Sequence, residues 1–566
     1  KTAYFDDQET VLEYIRGRND SAVSAYRART SILGDIVNSA PYFVGKPSAR
    51  YPETWGAADN RYSDFKDSFA TTPRQNLLYV GANDGMLHAF DADTGVEKMA
   101  YIPGSLLPKL KALADPDYAH DFYVDGSPTV VDAYDADADA WKTVLVGGLN
   151  KGGQAIYALD ITDPSTFSES ESNAASLFMW EFTDQDDADL GYTYSRPKIV
   201  KLQDGEWYAI FGNGYNSTEA DGQASSSGDA VIYIVNLFDG TLKKKISTNV
   251  GVAEDPANAS RPNGFATVTP VDVDGDQVAD YVYGGDLFGN VWKFTLDSAS
   301  SVDWALDYKL FSACSANTCT SSNVQPITTP VTIGRPKYGT DPMVYFGTGK
   351  YLETTDNNGS LGGIQSFYAI HDEGAVVLRS ALLEQSILDE SSVTVTNKNG
   401  TPDDASDDYS EDVPLRKTSN LYMASHKGWY LDFVPPQGER GERLVSAPAL
   451  RGGRVLFVTN IPANDPCSPG GDSWLMSLDA YSGGRLLNTY DIDNSGSFGA
   501  GDRVYTDTGS QIVASGIKVG SGGNAPSFMP GSDTDKAIIS GNDQLETYDV
   551  YGGDDVNRQS WQQITR

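Results

Sequence analysis

The chain has 566 residues, with 42 Lys plus Arg against 78 Asp plus Glu and a formal net charge of −36. A field this negative repels phosphate and has little cationic excess to release counterions, which excludes nucleic acid as the partner class. The length admits several domains or one large closed architecture with an ample core, and no apolar run reaches the roughly 18 residues of a membrane-spanning helix.

The chain opens KTAYFDDQET, without a basic-then-apolar leader, and reads as a fragment of a longer exported precursor. DQETVLEYIRG then sets Val11, Leu12 and Ile15 at helical spacing behind Asp6 and Asp7, so residues 1–35 are expected to form a helical lead-in. From residue 36 to residue 566 one phrase recurs: a β-rich run, a Gly-rich turn, an alternating run and an acidic turn. It stands at Leu77 (LLYVGANDGMLHAFDADTG), Val144 (VLVGGLNKGGQAIYALDIT), Ala209 (AIFGNGY, then GDAVIYIVNLFDG) and Tyr281 (YVYGGDLFGNVWKFTLD). Later copies begin at Val344 (VYFGTGKY), Val455 (VLFVTNIP) and, weakly, Ala537 (AIISGNDQLETYDV).

About seven copies, several tens of residues apart, have the spacing of four-stranded propeller blades. The run before each turn reads as a strand buried on both faces, and the alternation after it as its partner. A proline-bearing short strand precedes most copies, as in SAPYFVG at Ser39, GSPTVVDAY at Gly126, SRPKIVKL at Ser195, TTPVTIG at Thr328 and SAPALRGG at Ser446. Proline is tolerated where a strand begins or lies at an edge, and a radial arrangement hides the many edges. The expected fold is therefore all-β, a seven-bladed β-propeller, in preference to tandem β-sandwiches, whose phrases would be less regular.

The sharpest local signal is VDVDGDQVADYVYGG, in which Asp272, Asp274, Asp276 and Asp280 hold positions 1, 3, 5 and 9 of a loop and Val278 holds position 7. Carboxylates at this density repel unless a hard cation neutralises them, and oxygen-only ligation suits Ca²⁺ over zinc. Val278 would contribute its backbone carbonyl. The match to an EF-hand loop is partial, because Gly275 sits at position 4 and Tyr283 at position 12. A solvated acidic hairpin is the plain alternative. A second candidate, YDIDNSGSFGAGDRVY, sets Asp491, Asp493, Ser495, Ser497 (through its carbonyl) and Asp502 at positions 1, 3, 5, 7 and 12, and a Gly- and Ser-rich polar hairpin explains it equally well.

Cys314 and Cys319, five apart in CSANTC, could close a loop in an oxidising compartment or remain inert thiols, and Cys467 is left over. Residues 373–425, with GTPDDASDDYSEDVP, are polar and acidic and read as an exposed insertion. No catalytic constellation emerges. His88, His120, His371 and His426 are scattered, and no GxGxxG opening a helix, no GK[ST] and no GxSxG is present.

Ordered blocks then add a resemblance. LGDIVNSAPYFVG from Leu33, VGANDGMLHAFDADTG from Val80, FYVDGSPTVVDAY from Phe122, GGQAIYALDIT from Gly152 and FGNGYNS from Phe211 are similar to those of the PilY/PilC family. So are PVDVDGDQVADYVYGGDLFGNVWKF from Pro270, YFGTGKYL from Tyr345 and GWYLDF from Gly428. These are type IV pilus biogenesis factors and tip-associated adhesins of Gram-negative bacteria, and the blocks resemble their C-terminal domain. The resemblance implies a modified seven-bladed propeller of the quinoprotein type, and a larger parent with an N-terminal, often von Willebrand A-like region. It implies a calcium loop on Asp272, Asp274, Asp276, Val278 and Asp280, whose occupancy governs pilus extension against retraction, twitching motility and surface attachment. The implied partners are pilins, minor pilins and a host-cell or abiotic surface, and the implied location is the pilus tip or outer-membrane surface. The Arg-Gly-Asp tripeptide credited with host-cell binding in some members is absent, with RGRND at Arg16 and RGE at Arg440 the nearest matches, so integrin recognition does not carry over. The leading expectation is a non-enzymatic calcium-latched adhesin. A quinoprotein dehydrogenase would need a bound quinone and often carries adjacent cysteines, which this chain lacks; a scaffold that uses calcium for stability alone is the other alternative.

Overall fold

The computed structural model describes residues 8–219, 223–335, 341–463, 471–530, 534–541 and 545–552. Cys467 lies outside them, as do the first seven residues of the expected lead-in. The lead-in is one amphipathic helix, Gln8–Ile15, followed by a short turn at Ser21–Val23. The helix buries Val11, Tyr14 and Ile15 among Leu110, Leu113 and Ala114. Two helices stand outside the sequence expectation, Tyr62–Thr71 and Glu171–Leu177.

The rest is β-structure built on one scheme. Tyr42–Val44, Leu77–Gly81, Leu87–Asp91 and Glu97–Tyr101 form an antiparallel meander in chain order. Thr129–Asp135, Ala140–Gly148, Ala155–Asp160 and Phe178–Thr183 repeat it, as do Lys198–Lys201, Trp207–Gly212, Val231–Asn236 and Leu242–Ser247. Thr269–Val271, Tyr281–Gly285, Asn290–Thr295 and Ala305–Ser312 make a fourth sheet in the same order. Each recurring phrase supplies the second strand of its sheet. Trp207–Gly212 and Met343–Gly347 are buried at every residue, as a strand covered on both faces must be. The fourth strands are the more exposed, with Glu97–Tyr101 burying no residue fully.

Proline marks the start of each first strand. Pro41, Pro128, Pro197, Pro448 and Pro526 stand immediately before one, Pro330 two residues before, and Pro270 inside Thr269–Val271. The missing N–H costs nothing where the ladder has not begun.

Beyond residue 331 the scheme is elaborated. Thr332–Gly334, Met343–Gly347, Ser366–His371 and Gly428–Asp432 are joined by Leu383–Gln385, which pairs in parallel with the last of them. A six-stranded sheet follows, in the order Ile387–Asn397, Tyr409–Thr418, Gly516–Val519, Asp472–Asp479, Arg454–Ile461, Ala449–Arg451. The acidic segment expected as a surface insertion therefore contains a long antiparallel hairpin that joins this sheet through Leu415 and Arg416. Residues 401–406, in the hairpin's turn, are exposed. Ser527–Met529, Thr534–Ser540 and Leu545–Tyr551 form a three-stranded sheet, and Tyr505–Asp507 pairs with Ser510–Ile512 in a separate ribbon.

The chain divides into two compact units, the first running to Val282 and including Phe294–Leu306, the second comprising Tyr283–Lys293 and the chain from Asp307. In the first, the sheet faces bury Val144, Ile156, Trp180, Ile199, Phe211 and Tyr233. In the second, Phe367, Trp429, Phe457 and Trp474 lead one core and Leu456, Leu475, Tyr490 and Ile539 another. Cys314 and Cys319 are disulfide-bonded, with Cα atoms 5.4 Å apart.

Candidate metal centre

The acidic loop 272–280 joins strand Thr269–Val271 to strand Tyr281–Gly285. Its closure is anchored by Asp280 N–H donating to Val271 O at 2.9 Å. Gly275 (φ 91°) and Gln277 (φ 73°) adopt left-handed backbone, which is free for the glycine and strained for the glutamine. Hydrogen bonds hold Gln277 there: its N–H donates to Asp272 Oδ2 at 2.9 Å and its Nε2 to Arg50 O at 3.3 Å.

The carboxylates line the turn. Asp272, buried, also accepts from Gly275 N–H at 2.6 Å through Oδ1. Asp274 Oδ1 accepts from Asp276 N–H at 3.1 Å, and Asp276 Oδ1 from Val278 N–H at 2.8 Å. Oxygen atoms of Asp272, Asp274 and Asp276 lie within 4.8 Å of one another, a group that could hold a metal ion. Asp280 is outside that group. It is buried, and its Oδ2 accepts from Val273 N–H at 2.8 Å while Oδ1 accepts from Gln203 Nε2 at 3.4 Å.

The electrostatics show the strain of crowding. Burial, with the Asp274, Asp297 and Asp272 carboxylates, pushes Asp280 up to about 6 against the opposing hydrogen bond from Val273. Burial and the charges of Asp274 and Asp272 likewise raise Asp276. A divalent cation beside these groups would reverse the repulsion. The donor set is oxygen only, with unused lone pairs on Asp274 and Asp276, so the residues present fit a hard cation of the calcium type. Val278, whose backbone carbonyl is the expected ligand, is buried in the same turn.

The second loop also gathers its acids. Oxygens of Asp491, Asp493 and Asp502 lie within 4.8 Å of one another. Burial, with Asp493 and Asp502 nearby, pushes Asp491 up to about 6, and burial raises Asp502. Ser495 Oγ donates to Ser497 O at 3.1 Å, so the two serine positions face each other in the loop.

The histidines stand apart from both groups. His88 lies between Asp84, with Nε2 at 3.1 Å from both carboxylate oxygens, and Glu97, with Nδ1 at 2.6 Å. His120 contacts Asp35 at 2.8 Å, and His371 contacts Glu373 at 3.2 Å. Of the three, His88 is buried between its two partners, a structural position.

Comparison with known proteins now places the chain. A family model described as the PilY1 beta-propeller domain matches residues 33–397, more than half of the chain. The chain belongs to the PilY1 family. A type IV pilus biogenesis factor PilY1 homolog of Xylella fastidiosa (strain Temecula1) is 39% identical over 540 residues, covering 91% of this chain and 33% of that protein. The type IV pilus biogenesis factor PilY1 of Pseudomonas aeruginosa (strain PAK) is 34% identical over 519 residues, covering 86% of this chain and 41% of that protein. The chain thus spans well under half of these curated relatives. The crystal structure of the Pseudomonas aeruginosa PilY1 C-terminal domain superposes with a TM-score of 0.69 at 27% identity, covering 90% of this chain and 99% of that one.

Within this PilY1-family chain, three residues touching the acidic loop escaped the sequence reading: Arg50, Lys201 and Gln203. Lys201 O accepts from Ala279 N–H at 3.0 Å. Lying 227, 78 and 77 residues from their bonded partners in the loop, they carry no local signal.

Proposed function

We propose that this chain is the propeller region of a non-enzymatic type IV pilus biogenesis and adhesion factor in which Ca²⁺ in the Asp272–Asp280 loop acts as a conformational latch. In this reading Asp272, Asp274 and Asp276 hold the ion, with Asp280 and the Val278 carbonyl completing the set. Occupancy then biases pilus extension against retraction, and with it twitching motility and surface attachment. The partners would be pilins and minor pilins on one side and a host-cell or abiotic surface on the other. The site of action would be extracellular, at the pilus tip or outer-membrane surface, where a disulfide is suited to an oxidising medium. The seven sheets of three or more strands among the described residues support the reading of a seven-bladed propeller.

The observation that carries the reading is the convergence of three loop carboxylates in a chain of this family. A strain carrying Asp274→Ala with Asp276→Ala tests it: calcium-dependent twitching and surface piliation are expected to be lost while the protein is still exported. Unchanged motility would sink the regulatory role. A purely structural calcium is the second reading, favoured by the loop's own hydrogen bonds, since each carboxylate already accepts a backbone N–H. It predicts that chelation lowers the melting temperature and leaves motility intact.

A further inference from the structure

If the acidic loop is a latch, its state must reach a surface, and the loop's longest contact points to one. Asp272 belongs to the acidic group, and its carboxylate is also the acceptor that fixes Gln277 N–H, through Oδ2 at 2.9 Å. The Gln277 side chain in turn donates to Arg50 O at 3.3 Å. Arg50 precedes Tyr51, which begins an aromatic assembly. The Tyr51 ring stacks between Trp55 (5.0 Å) and Trp141 (5.8 Å) and meets Tyr62 and Trp207 edge-on at 5.0 and 5.5 Å. A second contact converges on the same rings. Ala279 N–H is bonded to Lys201 O, and Lys201 Nζ lies over Trp55 at 5.5 Å and Trp207 at 5.7 Å.

We infer that the segment Arg50–Trp55, with the half-exposed Trp55 ring at its end, is the output element of the loop. Gln277 and Lys201 are the positioning residues that transmit the state of Asp272 and Ala279 to it. The physical ground is competition for one carboxylate. A cation drawing on Asp272 acts on the group that holds Gln277 in its strained left-handed conformation. Relaxation there moves the Nε2 donor and releases or tightens Arg50. The aromatic assembly responds as a packed unit, because stacked rings cannot shift one at a time without losing contact. This inference rests on the calcium reading above.

The test uses the full chain, calcium chloride as the probe, and two readouts, calorimetric heat and tryptophan emission. Wild-type protein is expected to show heat and an emission change that Trp55→Phe removes. Gln277→Ala is expected to keep calcium binding within about threefold and to lose the Trp55-dependent change; Gln277→Met, of similar length, uncharged and without the Nε2 donor, should behave the same way. Calcium heat with no Trp55-dependent change in the wild type would overturn the coupling and leave the calcium reading standing. A Trp55-dependent change that survives in both Gln277 variants would overturn the Gln277 route. Absence of heat in the wild type would remove the calcium reading and this inference together.

Discussion

Asp272 holds the acidic loop from within: it is buried, both its oxygens accept backbone N–H groups, and it belongs to the converging trio. Asp274 and Asp276, in contrast, are exposed and each accept one. Asp274→Asn is therefore expected to weaken calcium binding by at least about tenfold, about 1.4 kcal/mol, with little effect on folding. Asp272→Asn should weaken binding and also lower the melting temperature, and calorimetry alongside thermal denaturation separates the two effects. The residue spacing made these three acids readable in advance, because alternate positions in a tight turn face one way. Asp280, expected as the late ligand, lies outside the trio, buried and accepting from Val273 N–H, a placement that one-dimensional spacing does not report.

His88 offers a pH dependence independent of the metal. Burial disfavours its imidazolium, but the hydrogen bonds and charges of Asp84 and Glu97 outweigh that and lift its pKa above the ordinary 6.5. A raised folded pKa contributes stability that is fully present below about 6.5 and is lost as pH rises through the folded value. Urea denaturation midpoints should therefore decline as pH increases beyond neutrality, and His88→Gln should flatten that decline. A wild-type profile identical to that of His88→Gln would contradict the assignment.

Among the elements, the hairpin Ile387–Asn397 and Tyr409–Thr418 departs most from what its composition suggests. Its charge and polarity resemble a solvated loop, yet VTVTN at Val393–Asn397 carries the two-residue alternation of a strand, and Val395 and Leu415 are buried. What secures it is an ion pair no local pattern announces. Arg416 is fully buried, makes a bidentate contact with Glu442 (2.6 and 2.7 Å), contacts Glu390 at 3.0 Å and stacks over Trp474 at 4.0 Å. Removing one partner strands a buried charge. Glu442→Ala is expected to cost about 3–5 kcal/mol in denaturant unfolding, whereas Arg440→Ala, at the solvent-facing side of Glu390, should cost under about 1 kcal/mol. Equal effects would mean that the buried pair is not what holds the hairpin. The helix Tyr62–Thr71 was missed for a related reason. Tyr62, Phe65 and Phe69 have helical spacing, but ten residues are too few to stand out, and Tyr62 and Phe65 pack on Trp141 of a distant strand.

Across the whole molecule, the repeated strand phrases and their prolines announced the sheets because every sheet needs a twice-buried second strand and an edge that can begin with proline. The elaborations beyond residue 331 were hidden because added strands use long-range pairing, such as Leu383–Gln385 running parallel to Trp429–Leu431. The excess of 36 negative charges acquires a local meaning in two acidic loops, each of which concentrates three carboxylates where a cation would relieve their repulsion. The most direct check on the central claim is a calorimetric titration of the wild-type chain with calcium at neutral pH, repeated with Asp272→Asn, Asp274→Asn and Asp276→Asn combined. The account predicts saturable calcium heat in the wild type, a weaker response to magnesium, and loss of the component that belongs to loop 272–280 in the triple variant. A wild-type titration without heat, or a triple variant that binds calcium as the wild type does, would contradict it.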